Sequence, residues 1–336
     1  MFRRSILGVA CLAAFAGVPG VCAAQIVESV GERALGMGGA FVAVASDSSA
    51  TWWNPAGLAT GPFGDITLAR AVVDRQEGPP AGRDRASWFA ATVPAIGLSY
   101  YHLRITNIRR PGTTERPAAS RQETLDSVSR LSFAATQWGL TVVQSILPGI
   151  HAGATLKYVR GTVRADGADG SQSMDELLDR GEALGGGDGE SRFDLDAGLV
   201  GVAGPLRVGA VMRNIRASRF GQGAFALPRQ TRVGVALDVA QVGGPPFALA
   251  VDADARRYST PLGERRVVAL GAEQWLGAHR VGLRGGGRVN TVGERERVAA
   301  AGASLLVRAG LYVEGHVTGS KARAERGWGV GARVTF

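Results

Sequence analysis

Cysteine is nearly absent: Cys11 and Cys22 are the only two, and both fall within the first 24 residues. That segment opens Met-Phe-Arg-Arg, runs apolar from Ile6 to Val21 and ends Cys22-Ala23-Ala24. A basic start, an apolar middle and small residues before a cut read as a cleaved export signal. Gly17, Pro19 and Gly20 break the run and leave it short for a retained membrane helix. A chain trimmed after Ala24 carries no thiol, which excludes disulfides, cysteine metal sites and thiol nucleophiles.

Lysine is scarce too. Lys157 and Lys321 stand alone, so the formal charge of +9 rests on arginine. The arginines alternate with apolar residues and do not cluster, the pattern of strand faces and not of a nucleic-acid patch. No apolar run beyond residue 24 reaches the roughly 20 residues of a membrane helix. The 49 glycines disfavour long helices, each costing about 1 kcal/mol there relative to alanine. Aromatics make up only 7%, little for a membrane barrel's girdles; Trp88, Phe89, Tyr100, Tyr101, Trp138, Tyr158, Trp275, Tyr312 and Trp328 are the candidates for partial belts.

What is present is apolar content, 45% of the chain at a mean hydropathy of +0.05, laid out in strand period. In the final stretch Trp328, Val330, Ala332, Val334 and Phe336 share one face, with Gly329, Gly331, Arg333 and Thr335 opposite. Val233, Val235, Leu237 and Val239 oppose Arg232, Gly234, Ala236 and Asp238 in the same way, and Phe193, Leu195 and Leu199 oppose Asp194 and Asp196. A soluble sandwich and a transmembrane barrel both carry this alternation.

Loop lengths separate them. Strands are expected near 65–73, 86–93, 95–106, 130–147, 150–163, 192–203, 205–215, 229–240, 246–256, 264–275, 279–290, 296–307, 309–319 and 326–336, an even fourteen if 130–147 is a single strand. Short turns at Pro94, Pro148-Gly149, Gly204, Gly243-Gly244, Gly277 and Arg308 alternate with long polar connections at Asp74–Arg85, Asn107–Ser129, Arg164–Ser191 and Arg216–Pro228. Outer-membrane barrels sort their loops this way, and sandwiches have no reason to. The expected architecture is an all-β, antiparallel transmembrane barrel over 64–336, behind a plug segment over 25–63 and the leader over 1–24. Phe336, closing an alternating strand, reads as the signal presented to a barrel-assembly machinery.

Before the barrel stands "GERALGMGGAFVAVASDSSATWWNPAGLA", Gly31 to Ala59. Asp47 is placed to cap a short helix ending at Trp53, and Asn54-Pro55 pairs an N-cap with proline at the first helical position. Two short helices joined there make a compact wad, and Gly36, Gly38 and Gly39 let its backbone pass close to a wall. A phosphate-binding reading of the glycines lacks a preceding strand, a lysine and an acidic residue in a βαβ unit.

The elements Arg33, Gly36-Met37-Gly38-Gly39-Ala40-Phe41, Asp47 to Ala50, and Trp52-Trp53 leading into Asn54-Pro55-Ala56-Gly57-Leu58 resemble the N-terminal signature of the fatty-acid-transporter-like (FadL-like) superfamily of outer-membrane barrels, which includes the PorV/PorQ-type proteins. The resemblance implies a fourteen-stranded barrel whose N-terminal residues fold inward as a hatch. It also implies passage of small hydrophobic compounds or, in PorV-type relatives, service to protein secretion.

The inward set expected from the alternation is Lys157, Asp194, Asp196, Arg207, Arg213, Arg232, Asp238, Asp252, Asp254, Arg256, Glu273, Arg284, Arg288, Glu314 and Arg333. An ion-selective pore concentrates one sign, whereas interleaved signs suit a lumen knitted around a plug. His102, His151, His279 and His316 show no metal spacing, and no Ser/His/Asp constellation is legible, so neither metal, cofactor nor enzymatic activity is expected. In the acidic loop Asp166–Glu190 the spacing of Asp166, Asp169 and Asp175 is not an EF-hand, and the segment reads as a mobile outer loop with a short helix at Met174–Leu178. The expected partners are outer-membrane lipid, the assembly machinery, and either a small hydrophobic ligand or a secreted protein.

Overall fold

The structure, a computed structural model, describes residues 23–24, 29–75, 81–109, 127–169, 171–185, 189–260, 263–293, 295–321 and 325–336. The segment 1–24 read as an export leader lies outside them apart from Ala23–Ala24, which pair in parallel with Phe225–Ala226.

Fourteen strands form one closed antiparallel barrel. They are β1 (Asp65–Arg75), β2 (Ala81–Val93), β3 (Ile96–Arg109), β4 (Ser127–Leu147), β5 (Ile150–Asp169), β6 (Glu190–Ala203) and β7 (Leu206–Arg213). Then come β8 (Gln230–Asp238), β9 (Phe247–Asp254), β10 (Val267–Leu276), β11 (Val281–Asn290), β12 (Arg297–Arg308), β13 (Leu311–Ser320) and β14 (Glu325–Thr335). Each pairs with its sequence neighbour, and β14 closes the ring on β1 with Trp328 opposite Val72. Phe336 extends the closure: its N–H donates to the Gly64 carbonyl at 3.1 Å and its carbonyl accepts from Gly64 N–H at 2.9 Å. Arg130–Leu147 lies within one strand, β4. Turns such as those at Gly149 and Gly204 reverse the chain tightly because glycine takes φ of 76° and 56° there without a Cβ penalty.

The two faces sort as the pleat demands. Leu98, Leu140, Leu199, Val235, Leu270 and Val330 stand out on the exterior, while Asp194, Asp196, Arg232, Asp252 and Arg284 are buried inside. No described helix is long and apolar enough to cross a membrane.

Two expectations are corrected here. Adjacent residues of a strand point to opposite faces, so Trp88–Phe89 and Tyr100–Tyr101 cannot all join an outer belt. Phe89, Trp138, Tyr158 and Trp328 are exposed, whereas Trp88 and Tyr101 turn inward and are buried. The second concerns the long connections: several residues assigned to them are ladder, because β1 and β2 continue to Arg75 and from Ala81, while β4 and β5 run to 21 and 20 residues.

The overhanging strands support helix α3 (Met174–Glu182), capped by the Ser173 hydroxyl, which accepts from Glu176 N–H. This segment is docked, not a free loop. Leu177 and Leu178 bury against Ala81, Ile108 and Val128, which lie on the outer face of β2, β3 and β4. Around that apolar contact, outward arginines meet the helix's acids: Arg83 bonds Asp179 at 2.6 Å and Asp175 at 3.1 Å, and Arg85 bonds Glu182 at 2.9 Å. Arg130 takes Asp166 at 2.6 Å, so two of the three aspartates weighed for calcium already serve arginines. Among the described residues no group of three or more His, Cys, Asp or Glu is placed to hold a metal.

Replacing Leu177 and Leu178 together by alanine removes the helix's apolar anchor, at about 2–5 kcal/mol for each buried leucine. Amide hydrogen exchange is expected to rise sharply in Met174–Glu182 and to stay unchanged in β5 and β6. Uniform exchange across all three would show that the helix was never held by this contact.

Candidate functional site

Residues 29–60 fill the lumen, and the chain then leads out past the exposed Pro62 and Phe63 to β1. Helix α1 (Glu32–Gly36) lies against β11 to β14, while helix α2 (Ala50–Trp53) and the 3₁₀ helix Pro55–Thr60 lie against β3 to β6. Asn54 joins the two short helices: its Oδ1 accepts from Ala56 N–H at 3.3 Å, and Pro55 takes the first helical position. Asp47 accepts from Ser49 N–H at 3.0 Å, one residue ahead of α2.

The segment touches the wall main chain to main chain. Gly36 rests on Gly302, Gly38 on Gly287, and the Met37 carbonyl on Gly271 and Gly286. Farther round, Val42 and Ala43 meet Gly209 and Gly234, and Asn54 to Ala56 meet Gly198 and Gly153. A Cβ added to Gly38 would lie 2.5 Å from the Gly287 nitrogen, so both surfaces must be bare there.

Side chains then pin the plug. Asp252 accepts from the N–H groups of Phe41 and Val42 at 2.7 and 2.8 Å. Arg33 grips Glu273 through two nitrogens at 2.8 and 2.5 Å and lies 3.6 Å from Asp47. Arg207 donates to the Ala43 carbonyl at 3.0 Å and to the Thr60 hydroxyl at 2.6 Å. Trp53 gives its indole N–H to Val30 at 2.8 Å under the guanidinium groups of Arg213 and Arg232, and Trp52 lies 4.9 Å from Tyr101. Gly39 sits beside Trp53 at a φ of 87°.

Other inward charges brace the wall. Arg284 bonds Glu273 at 2.7 Å, Arg232 bonds Asp254 at 2.8 Å, Arg333 lies 3.4 Å from Glu314, and Arg288 pairs with Glu325. Asp194 and Asp196 fasten the loop after β7: Asp194 accepts from Arg216 N–H and the Ser218 hydroxyl, and Asp196 accepts from Asn214 N–H and pairs with Lys157 at 2.6 Å. That loop turns into the mouth, where Phe220 and Phe225 bury against Phe133 of β4. Asp238 is only half buried at the end of β8, 3.6 Å from Arg207. Arg256 is exposed, because β9 ends at Asp254 and the chain leaves the wall before reaching it.

Some elements escaped the sequence reading. Glu325, Arg75 and Asp84 form a buried network with Arg288 at the mouth. Ser145 Oγ lies 2.9 Å from His151 Nδ1, exposed near the β4–β5 turn; among the described residues no carboxylate orients that histidine, so the pair lacks the third member of a triad. Glu32 is buried with both carboxylate oxygens lacking a hydrogen-bond donor. Burial, with Glu314 and Asp47 nearby, pushes its carboxyl up from 4.5 to about 8 against the pull of its own backbone N–H and Arg284.

Beside Trp52 the plug leaves a gap of about 10 Å³. Space remains at the long-loop end, on the side away from the inserted loop. There a cavity of about 1160 Å³ spans β9 to β14, with Gly286 and Gly287 in its lining. Those are the two wall residues on which Met37 and Gly38 rest.

Residues 83–254, 172 of the 336, match the family model described as "F plasmid transfer operon, TraF, protein". None of the curated proteins matches the chain. Among solved structures the chain is similar to the toluene transporter TbuX of Ralstonia pickettii, at 13% identity over 92% of this chain and 99% of that one, with a TM-score of 0.60. It is similar to the CymD monoaromatic hydrocarbon channel at 14% identity, covering 92% and 98% with a TM-score of 0.60. A FadL homologue of Pseudomonas aeruginosa aligns at 10% identity over 94% and 99%, with a TM-score of 0.58. At such identities the likeness establishes the fold, that of a FadL-like barrel.

The pinning generates two predictions. Asp252→Ala strands the buried N–H groups of Phe41 and Val42, at about 1–3 kcal/mol each. In planar bilayers the native barrel is expected to be silent and the variant to flicker open; silence in both would show that the plug does not depend on this carboxylate. Glu32, whose carboxyl holds its proton up to about pH 8 in the fold but releases it near 4.5 when unfolded, weakens the closed state progressively as pH rises from 4.5 to 8. Protease cleavage within residues 29–64 is therefore expected to rise between pH 4.5 and 8 in the native protein, to level off above 8, and to stay flat in Glu32→Gln.

Proposed function

We propose a function for this chain from one premise: it belongs to the family described as F plasmid transfer operon, TraF, protein. Within that family it acts as a plugged outer-membrane barrel that passes small hydrophobic compounds by diffusion, with residues 29–64 as the hatch. The mouth cavity is the observation that carries this reading. At about 1160 Å³ it is of the size that takes small molecules, its exposed apolar lining is Val251, Val268, Leu270 and Ala299, and it includes Gly286 and Gly287, the stretch of wall covered from within by Met37 and Gly38.

A hydrophobic solute entering the cavity leaves water for apolar walls, a gain of about 25 cal/mol per Å² buried. Advancing farther requires the Met37–Gly39 segment to lift from Gly286 and Gly287, a contact of dispersion forces with no side-chain hydrogen bond of its own. Arg33 and Asp252 hold either side of that segment and return it. The likeness in fold to toluene and monoaromatic hydrocarbon transporters supports the same reading, as does an apolar exterior suited to lipid. No step in it is catalytic.

A second reading is favoured by the family's description, which names a plasmid transfer operon, together with a lumen pinned from so many strands. It is a closed barrel serving secretion or surface anchoring, as in PorV-type relatives. Uptake of radiolabelled toluene by cells with and without the gene distinguishes the two. Faster uptake with the gene is expected, and faster still with Asp252→Ala; equal rates in all three strains would leave the closed-barrel reading standing.

A further inference from the structure

Plug, wall and inserted loop meet around the small gap beside Trp52. Its wall side is made of inward positions on five successive strands: Gln137 of β4, Lys157 of β5, Asp196 of β6, Arg213 of β7 and Gln230 of β8. Trp52 of the plug and the loop after β7 complete the chamber. All six of these side chains are buried.

Donors predominate in this lining. Trp52 Nε1 meets no acceptor among the described residues, and an indole N–H can only donate. Leaving such a group buried and unpaired costs about 1–3 kcal/mol. Lys157 and Arg213 can only donate as well. Lys157 bonds Asp196 at 2.6 Å and Asn214 Oδ1 at 2.5 Å, which occupies two of its three hydrogens. Asp196 is the one carboxylate of the lining, and its Oδ1 accepts from the Asn214 N–H at 2.7 Å besides pairing with Lys157. Gln230 accepts from Arg213 Nη2 through Oε1, so its amide nitrogen is what remains to donate. Two cations thus face one carboxylate around an unpaired indole N–H.

We propose that this chamber binds one small monovalent anion, a halide such as chloride, on Trp52 Nε1, the Gln230 amide and the third hydrogen of Lys157. At about 10 Å³ it has room for one water-sized particle, which excludes phosphate, sulfate and carboxylate ligands. An anion turns the indole contact into a charge-assisted hydrogen bond, roughly twice as strong as a neutral one. A water in the same position must also find acceptors for two hydrogens, in a lining where donors predominate. The anion touches the plug through Trp52 and the wall through Lys157 and Gln230, so it holds one to the other. This role concerns how the plug is fastened, and it stands whether or not the barrel passes hydrocarbons.

The test is anomalous diffraction at the bromine edge from crystals of the full-length protein grown in sodium bromide. A bromide peak is expected within hydrogen-bond distance of Trp52 Nε1. It should vanish in Trp52→Phe, which keeps an aromatic ring without the N–H, and in Gln230→Glu, which sets a second carboxylate beside the site. In solution, protease cleavage within residues 29–64 is expected to be about three-fold slower in sodium chloride than in sodium gluconate of equal ionic strength, since a ligand that binds only the closed plug stabilises it. Both variants should lose that difference, and retained mobility of unboiled samples on gels shows that they are folded. Density without a bromide signal, together with equal cleavage in the two salts, would make the occupant a water. Bromide peaks confined to exposed arginines would mark an adventitious ion only. Either result overturns the proposal.

Discussion

The interior of this barrel depends on main chain lying against main chain. Where the plug passes, the wall carries no side chain: Gly302 under Gly36, Gly287 under Gly38, Gly209 under Val42, Gly153 under Ala56. Such contact brings peptide groups close enough to exclude water, so each plug N–H and carbonyl must find a partner on the wall or within the plug. Asp252, opposite Gly234 of the neighbouring strand, and Arg207, on the same strand as Gly209, answer that need. The glycine content that argues against helices is thus a lumen requirement as much as a turn requirement.

From that constraint follows a division of labour among the inward charges. One set holds the plug: Glu273 through Arg33, Asp252 through backbone, Arg207 through Ala43 and Thr60. A second spans neighbouring strands, as in Arg232 with Asp254 or Arg288 with Glu325. A third, Asp194 and Asp196, ties down the loop that brings Phe220 and Phe225 over the mouth. Packed protein inside the barrel leaves little water to screen these pairs. Removal of one partner from a buried pair strands the other, at roughly 3–5 kcal/mol.

The fourteen strands were legible because a pleat with period two writes itself directly into the sequence, and the short turns punctuate it with proline and glycine. Local capping at Asn54-Pro55 was legible for the same reason, since the interaction spans two residues. Contacts between distant segments were not. Arg33 and Glu273 are 240 residues apart, and only the register of a closed barrel brings them together. Trp88 and Tyr101 could have been assigned inward by parity alone, because their neighbours Phe89 and Tyr100 lie on the other face. Helix α3 also left a signal: a serine cap, acids in its first turn and the pair Leu177-Leu178 describe an amphipathic helix seeking a surface. That the surface is the outside of the wall depends on how far β2 to β4 overhang, which no local pattern states.

The plug is not held evenly, and the unevenness points to where a solute would pass. Toward β5 and β6 its anchors are Asn54, wedged against Gly198 with its amide donating to the Val42 and Leu199 carbonyls, and the aromatic pair Trp52 and Trp53 beneath Arg213. The loop carrying Phe220 covers that side as well. Toward β10 and β11, Met37 and Gly38 rest on Gly271, Gly286 and Gly287, with pins at Arg33 before them and Asp252 after them. Dispersion contacts between bare backbones yield to small displacements, whereas buried ion pairs and indoles do not. The span with the weakest hold therefore lies against the wall that lines the open cavity, so closure and entry meet at Gly286 and Gly287. Under the proposed function, a solute moving along β11 would lift one short glycine-flanked segment and leave the rest of the plug in place.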